Sequence, residues 1–293
     1  MAQYAMSRKS KNNLLVRPLL FALAMASVPA LAASALEEAR ALPHLDAQGQ
    51  AGYRTFLAQP DHRAFVIAPG GGWAWRAGMS SAAAAREAAL ADCATQNAIC
   101  APYAVDRKIV FDAKIWPTLW RPYLSADKAG RAREGLLRGL RFPDLRLQTA
   151  DGKAVKLSDW RGEVVVLHFW GSWCPPCRRE LPDLHRLQQR LKTSKGIRLV
   201  TIQMREPVSC ARRWLRDRQL SLPLYDSGAV DEGGFSMRLG DGRTLSDRIL
   251  APVFPSTYVV DRHGIVVFAH AGPLHQWPQY LDFLRDVEKL SGQ

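Results

Sequence analysis

Val164-Val165-Val166-Leu167-His168-Phe169-Trp170-Gly171-Ser172-Trp173-Cys174-Pro175-Pro176-Cys177 is the stretch whose reading decides the fold. It begins as a continuous apolar run, the pattern of a strand buried on both faces. It ends in two cysteines two residues apart. From Arg178 to Lys192 the apolar positions Leu181, Leu184, Leu187 and Leu191 recur at helical spacing. Both sulfurs are therefore predicted at a strand-to-helix junction. A helix N-terminus has unpaired N–H groups and a partial positive charge, which stabilise a thiolate. Such a thiol is a nucleophile at neutral pH, and the chemistry indicated is thiol–disulfide exchange.

Downstream, Ile197–Met204 reads as a second buried strand, Ser209–Gln219 as a helix and Leu222–Tyr225 as a short strand. Thr257–Asp261 and Ile265–Ala269 flank Arg262-His263-Gly264 as a hairpin, and Tyr280–Leu290 is an amphipathic helix. Upstream, Leu145–Leu147 and Val155–Leu157 bracket the turn signal Asp151-Gly152. The order β–α–β–α–β–β–α, with Cys-x-x-Cys opening the first helix, is the thioredoxin arrangement.

Trp173-Cys174-Pro175-Pro176-Cys177-Arg178-Arg179-Glu180-Leu181-Pro182 resembles the exported TlpA/ResA-type thioredoxin-like proteins. Pro255-Ser256-Thr257-Tyr258-Val259-Val260-Asp261 resembles their later Pro-Thr-Thr segment. The resemblance spans roughly residues 143–293. It implies an α/β chain with a thioredoxin fold, a central mixed sheet flanked by helices. It also implies dithiol chemistry outside the cytoplasm, with apocytochrome c or copper-site cysteines as frequent substrates. Cys174 would be an exposed attacking sulfur and Cys177 the resolving one. Glu180 would be the buried acid that modulates the thiols. The alternative for Glu180 is an exposed helix residue paired with Arg178 or Arg179. Pro255 is the expected cis-proline, with Pro252 as competitor. Phe254 would offer its backbone to an extended substrate, beside Trp173. At the position of the usual buried aspartate stands His168, either a modulator of the thiols or a satisfied core histidine.

Pro175 and Pro176 lack N–H groups, so chiefly the Cys177 N–H remains to stabilise a Cys174 thiolate. A less acidic thiol makes a more reducing couple, and the chain is expected to donate electrons to protein disulfides. The competing readings are a disulfide oxidant or isomerase, and a copper carrier using the dithiol as soft ligands. No metal site and no cofactor beyond the redox pair are expected.

The first 35 residues read as a signal peptide. Arg8, Lys9, Lys11 and Arg17 precede the apolar run Leu19–Ala26 and the small-x-small site Ala30-Leu31-Ala32. A membrane anchor is the alternative, although the run is short for a span. Export to a periplasm or beyond is the expectation, with a membrane electron donor recharging the dithiol. The chain of 293 residues carries a formal charge of +13. Without those four leader charges about +9 remains. That excess fits an acidic partner, a membrane surface or simply a solvated basic face. No basic stripe interleaved with aromatics suggests nucleic acid.

Residues 36–142 form a smaller predicted α+β domain, and 143–293 the thioredoxin-like one. In the first, Ala64–Ala68 reads as a strand. Ser80 or Ser81 caps an Ala-rich helix ending near Asn97, and Tyr103–Val105 pairs with Ile109–Phe111. Pro69-Gly70-Gly71-Gly72 lacks the spacing of a phosphate loop and reads as a tight turn under Trp73 and Trp75. A basic helix is predicted over Ala129–Leu140. The chain has five cysteines. Cys93 and Cys100 are close enough in sequence to form a structural disulfide. Cys210 is left over, read as a buried helix residue, with an intermolecular disulfide or a redox partner as alternatives. The stretch Glu232–Ala251, with Gly233-Gly234, is predicted as a long flexible loop near the active face.

Overall fold

The computed structural model describes residues 36–292, apart from 46, 98, 121–122, 230–235 and 275. The leader-like segment and Gly233-Gly234 lie outside the described residues. From Ser34 onward the chain is one compact unit.

Its first part contains α1 (Ala47–Leu57), β1 (Ala64–Ile67), β2 (Trp73–Arg76), α2 (Ala82–Ala94), β3 (Ala101–Val105), β4 (Lys108–Ile109) and α3 (Ala126–Arg131). The strands form an antiparallel sheet in the order β2-β1-β3-β4. Successive strand residues face opposite ways, so β1 serves two cores. Phe65 and Ile67 pack with Tyr53 and Phe56 of α1. Ala64 and Val66 pack with Ala85, Ala89 and Cys93 of α2. Ser81 caps α2, its side chain accepting from the Ala84 N–H. Cys93 and Cys100 are disulfide-bonded, tying the end of α2 to the start of β3.

The second part contains β5 (Arg146–Thr149), β6 (Ala154–Lys156), β7 (Val164–Trp170), α4 (Pro175–Leu191), β8 (Ile197–Gln203), α5 (Val208–Asp217) and β9 (Leu224–Asp226). After these come β10 (Ser236–Arg238), β11 (Thr244–Ser246), α6 (Asp247–Leu250), β12 (Ser256–Val260), β13 (Val266–Ala271) and α7 (Tyr280–Leu290). Seven strands form a mixed sheet in the order β13-β12-β7-β8-β9-β5-β6. β7 is parallel to β8 and antiparallel to β12, and all seven of its residues are buried. Val164, Val166 and Trp170 face the α4 side, while Val165, Leu167 and Phe169 face the other core. On α4, Leu181, Leu184 and Leu187 are fully buried against β7 and β8. Each such leucine contributes roughly 2 kcal/mol of hydrophobic stabilisation. Truncating Leu184 to alanine is expected to cost about 2–5 kcal/mol.

The two parts share a core: Tyr53, Trp116 and Trp120 belong to the same cluster as Leu184, Trp277 and Phe283. His44, 5% exposed, stands at this junction. It pairs with Asp286 at 2.9 Å and lies against Trp116, Trp120 and Phe283.

Four expectations are corrected. The described part of the expected loop over 232–251 is ordered as the antiparallel pair β10–β11 followed by α6. The glycine turn does not pack under Trp73 and Trp75. Trp73 stacks on Phe65, and the turn rests on α7 instead. A Cβ at Gly70 (φ +86°) would stand 2.2 Å from a ring carbon of Tyr280. The basic helix over 129–140 is confined to Ala126–Arg131, because Ala132 turns extended and Glu134 and Arg141 form bridges. Cys210 is exposed, since the buried face of α5 is carried by Ala211 and Leu215.

Candidate active site

The end of β7 delivers Gly171-Ser172-Trp173 to the N-terminus of α4, and Cys174 and Cys177 are joined as a disulfide there. Cys174 is the N-cap of α4. Its Sγ lies 3.2 Å from the Cys177 backbone N, whose N–H points at it. Pro175 and Pro176 occupy the first two helical positions, where an N–H would find no intrahelical partner. The Phe254–Pro255 bond is cis. It places the Phe254 carbonyl oxygen 3.7 Å from Cys174 Sγ. The Pro255 carbonyl accepts from the Gly272 N–H at 2.8 Å.

Cys174 is only 3% exposed in this oxidised form, unlike the exposed sulfur that the resemblance implies. Phe254 and the active-site loop stand over it. Trp173 is 44% exposed and packs edge-on to Phe254, with centroids 5.2 Å apart. Its indole N–H donates to the Met204 carbonyl at 2.9 Å. The Cys174 sulfur is thus approached over an aromatic lip.

Beneath the disulfide lies a buried polar group. Glu180, 2% exposed, is one turn along α4 from Cys177. Burial pushes its carboxyl up to about 8, against the opposing hydrogen bonds from the Trp277 indole and the Leu274 backbone. His168 is fully buried on β7, its Nδ1 3.0 Å from Thr257 Oγ1 and 4.0 Å from Glu180 Oε1. Burial lowers the imidazole to about 3. At neutral pH His168 is uncharged and Glu180 mostly protonated, so their approach is not an ion pair. Exposed pairing of Glu180 with Arg178 or Arg179 does not occur.

Three arrangements were not foreseen from sequence. Trp277 donates its indole N–H to Glu180 Oε1 at 2.5 Å. Ser172 donates its backbone N–H to Glu206 Oε1 at 2.6 Å, and its hydroxyl bonds the same carboxylate. Arg205, at φ +59°, reaches buried Asp247 at 2.5 Å and lies over the Phe254 ring at 5.0 Å. Each joins positions far apart in the chain. The signal nearest to any of them is Trp277-Pro278 directly ahead of an amphipathic helix.

A mixed sheet with a disulfide at the N-terminus of α4, facing a cis-proline, defines a thioredoxin-fold thiol–disulfide oxidoreductase. Residues 139–269 match the model of the AhpC/TSA family. The chain is 28% identical over 158 residues to the thioredoxin-like protein YneN of Bacillus subtilis, covering 54% of this chain and 83% of that one. It is 25% identical over 142 residues to the thiol-disulfide oxidoreductase ResA of the same organism, covering 48% and 72%. Among solved structures it is similar to a candidate thiol:disulfide interchange protein DsbE from Chlorobium tepidum. That match has 28% identity and a TM-score of 0.41, covering 52% of this chain and 99% of that one.

Proposed function

We propose that this oxidoreductase is an exported reductant of protein disulfides. The observation that carries the reading is the single backbone N–H aimed at Cys174 Sγ, the two preceding helical positions being prolines. With few donors the Cys174 thiolate is weakly stabilised, which favours the oxidised, electron-donating direction.

In the reaction the Cys174 thiolate attacks one sulfur of a substrate disulfide. A mixed disulfide forms and one substrate thiolate leaves. Cys177 then attacks Cys174 Sγ, closing the Cys174–Cys177 disulfide and releasing the second substrate thiolate. Two electrons pass to the substrate. The minor ionised form of Glu180 takes up the proton as Cys177 ionises, and its protonated form returns one, with neutral His168 beside it. Phe254 presents its backbone to the substrate strand, with Pro255 beside it, and Trp173 forms the apolar lip. Cysteine pairs of cytochrome c apoproteins or of copper sites are the proposed substrate class, on the strength of the ResA-type resemblance. A membrane electron donor would reduce the disulfide again. Export is supported by the leader-like first 35 residues. No described helix is long and apolar enough to cross a membrane.

A redox titration against glutathione tests the direction. A potential at the reducing end, near the −270 mV typical of thioredoxin, is expected, and one near −120 mV would overturn it. Copper titration followed by absorbance separates the metal-carrier alternative. Cys177→Ser is expected to trap the substrate on Cys174, and a capture experiment in whole cells would identify it.

A further inference from the structure

Directly beside the disulfide, α4 and α5 enclose an open, shallow depression of about 590 Å³. Its apolar lining is the exposed Pro175 and Pro182 with the half-buried Trp214 and Leu220. Its rim is Arg178, Arg179 and Arg218, all exposed. Arg218 lies over the Trp214 ring with its guanidinium 4.2 Å from the centroid. Arg213 is a further exposed cation on α5, while Arg212 and Arg216 line a separate depression.

Acidic residues do not offset this charge. Glu180 is buried and mostly protonated at neutral pH. Asp183 is engaged by Arg186 and by the Gln276 backbone N–H. Asp217 lies 3.7 Å from Arg216. Glu206 is held by Ser172. None of Arg178, Arg179 and Arg218 has a carboxylate partner among the described residues.

From this geometry we infer that the depression docks an acidic segment of the protein whose disulfide is exchanged. The inference rests on the thiol–disulfide reading of Cys174 and Cys177. Guanidinium forks bind carboxylates through paired N–H donors. The indole and proline lining accepts the apolar parts of the same segment. A substrate strand seated along Phe254 passes Cys174, whose chain neighbour Pro175 lines the depression. Attraction between opposite charges raises the encounter rate and is screened by salt. Uncharged substrates gain nothing from it.

The test uses the full chain with its dithiol pre-reduced. Two synthetic peptides carry the same disulfide, one flanked by glutamates and the other by glutamines. At low salt, kcat/KM for the acidic peptide should exceed that for the neutral one by about tenfold. High salt should bring the ratio close to one, and the variant R178E/R179E/R218E should bring it to one or below. Equal rates at low salt would overturn the docking site, as would a preference that survives charge reversal. A serine-for-cysteine form of the acidic peptide, followed by fluorescence anisotropy, reads docking without redox chemistry. Its binding should be lost in the variant, and R179Q/R218Q guards against a folding defect from reversed charges. Loss of turnover for both peptides with anisotropy binding retained would sink the reductant reading and leave the docking site standing. Retention on vesicles containing anionic lipid, with no discrimination between the peptides, would reassign the face to a membrane and overturn the proposal.

Discussion

Trp277 and Glu180, 97 positions apart, are joined inside the molecule by a hydrogen bond from the indole N–H to Oε1. The bond favours the charged carboxylate, whereas burial disfavours it. Trp277→Phe removes the donor while keeping an aromatic ring. The carboxyl pKa should rise further, by about one unit. A pH profile of thiol exchange with a small disulfide should show its Glu180-dependent limb displaced to higher pH. A role limited to packing would change stability and leave that limb in place.

Glu180 also sets a stability trend. Its folded pKa, about 8, lies above the ordinary glutamate value of 4.5. The folded state therefore holds the proton more tightly than the unfolded one. This contribution is fully present below about pH 4.5 and is lost as pH rises through about 8. Urea denaturation at about pH 5 and about pH 9 should show the wild-type chain losing stability between them. Glu180→Gln should flatten that part of the change. An equal loss in the variant would assign the trend to other groups.

The Cys93–Cys100 bridge closes a loop with a sequence separation of 7. Replacing both cysteines with serine should cost about 2–3 kcal/mol. Thermal denaturation should show a drop of roughly 4–12 °C at this chain length. An unchanged melting temperature would mean that the bridge contributes nothing to the fold.

Gly70 and Gly152 both sit at φ +86°, yet only Gly70 faces a neighbour. At Gly152 an added Cβ meets nothing within 4 Å, so Gly152→Ala should cost only about 1–2 kcal/mol of backbone strain. Gly70→Ala adds a clash with Tyr280 and should cost about 1–3 kcal/mol more. Denaturant midpoints of the two variants give the difference directly. Equal midpoints would mean that the glycine turn tolerates displacement from α7.

The central architecture was legible because its signals are local. A run such as Val164–Phe169 and the leucine spacing of α4 need no distant partner to be read. The resemblance of the two motifs led to Pro255 and to Glu180. What escaped the sequence depends on tertiary closure. No pattern links Trp277 to Glu180, Arg205 to Asp247 or Ser172 to Glu206. Nor could composition show that Gly70 meets Tyr280 instead of the nearby indoles. The helix expected over 129–140 failed although its apolar residues have helical spacing, because Gly130, Gly135 and Gly139 interrupt it, Gly139 at φ +86°. Cys210 was misplaced by one position on α5, where Ala211 takes the inward face.

The core shared by the two parts bears on how portable the redox half is. The stretch matched to YneN makes up 83% of that protein but only 54% of this one. A fragment cut at the relatives' boundaries would keep every residue of the redox site. It would also strip Tyr280 of Gly70, and Phe283 of Trp120, 5.6 Å away, and of His44. The helix behind Trp277 would then present aromatic surface to water. The excised half should aggregate or loosen, and Trp277 would lose its support against Glu180. In this chain the described residues from 36 to about 120 act as the outer wall of the redox half, so borrowing the dithiol for another protein means borrowing that wall with it.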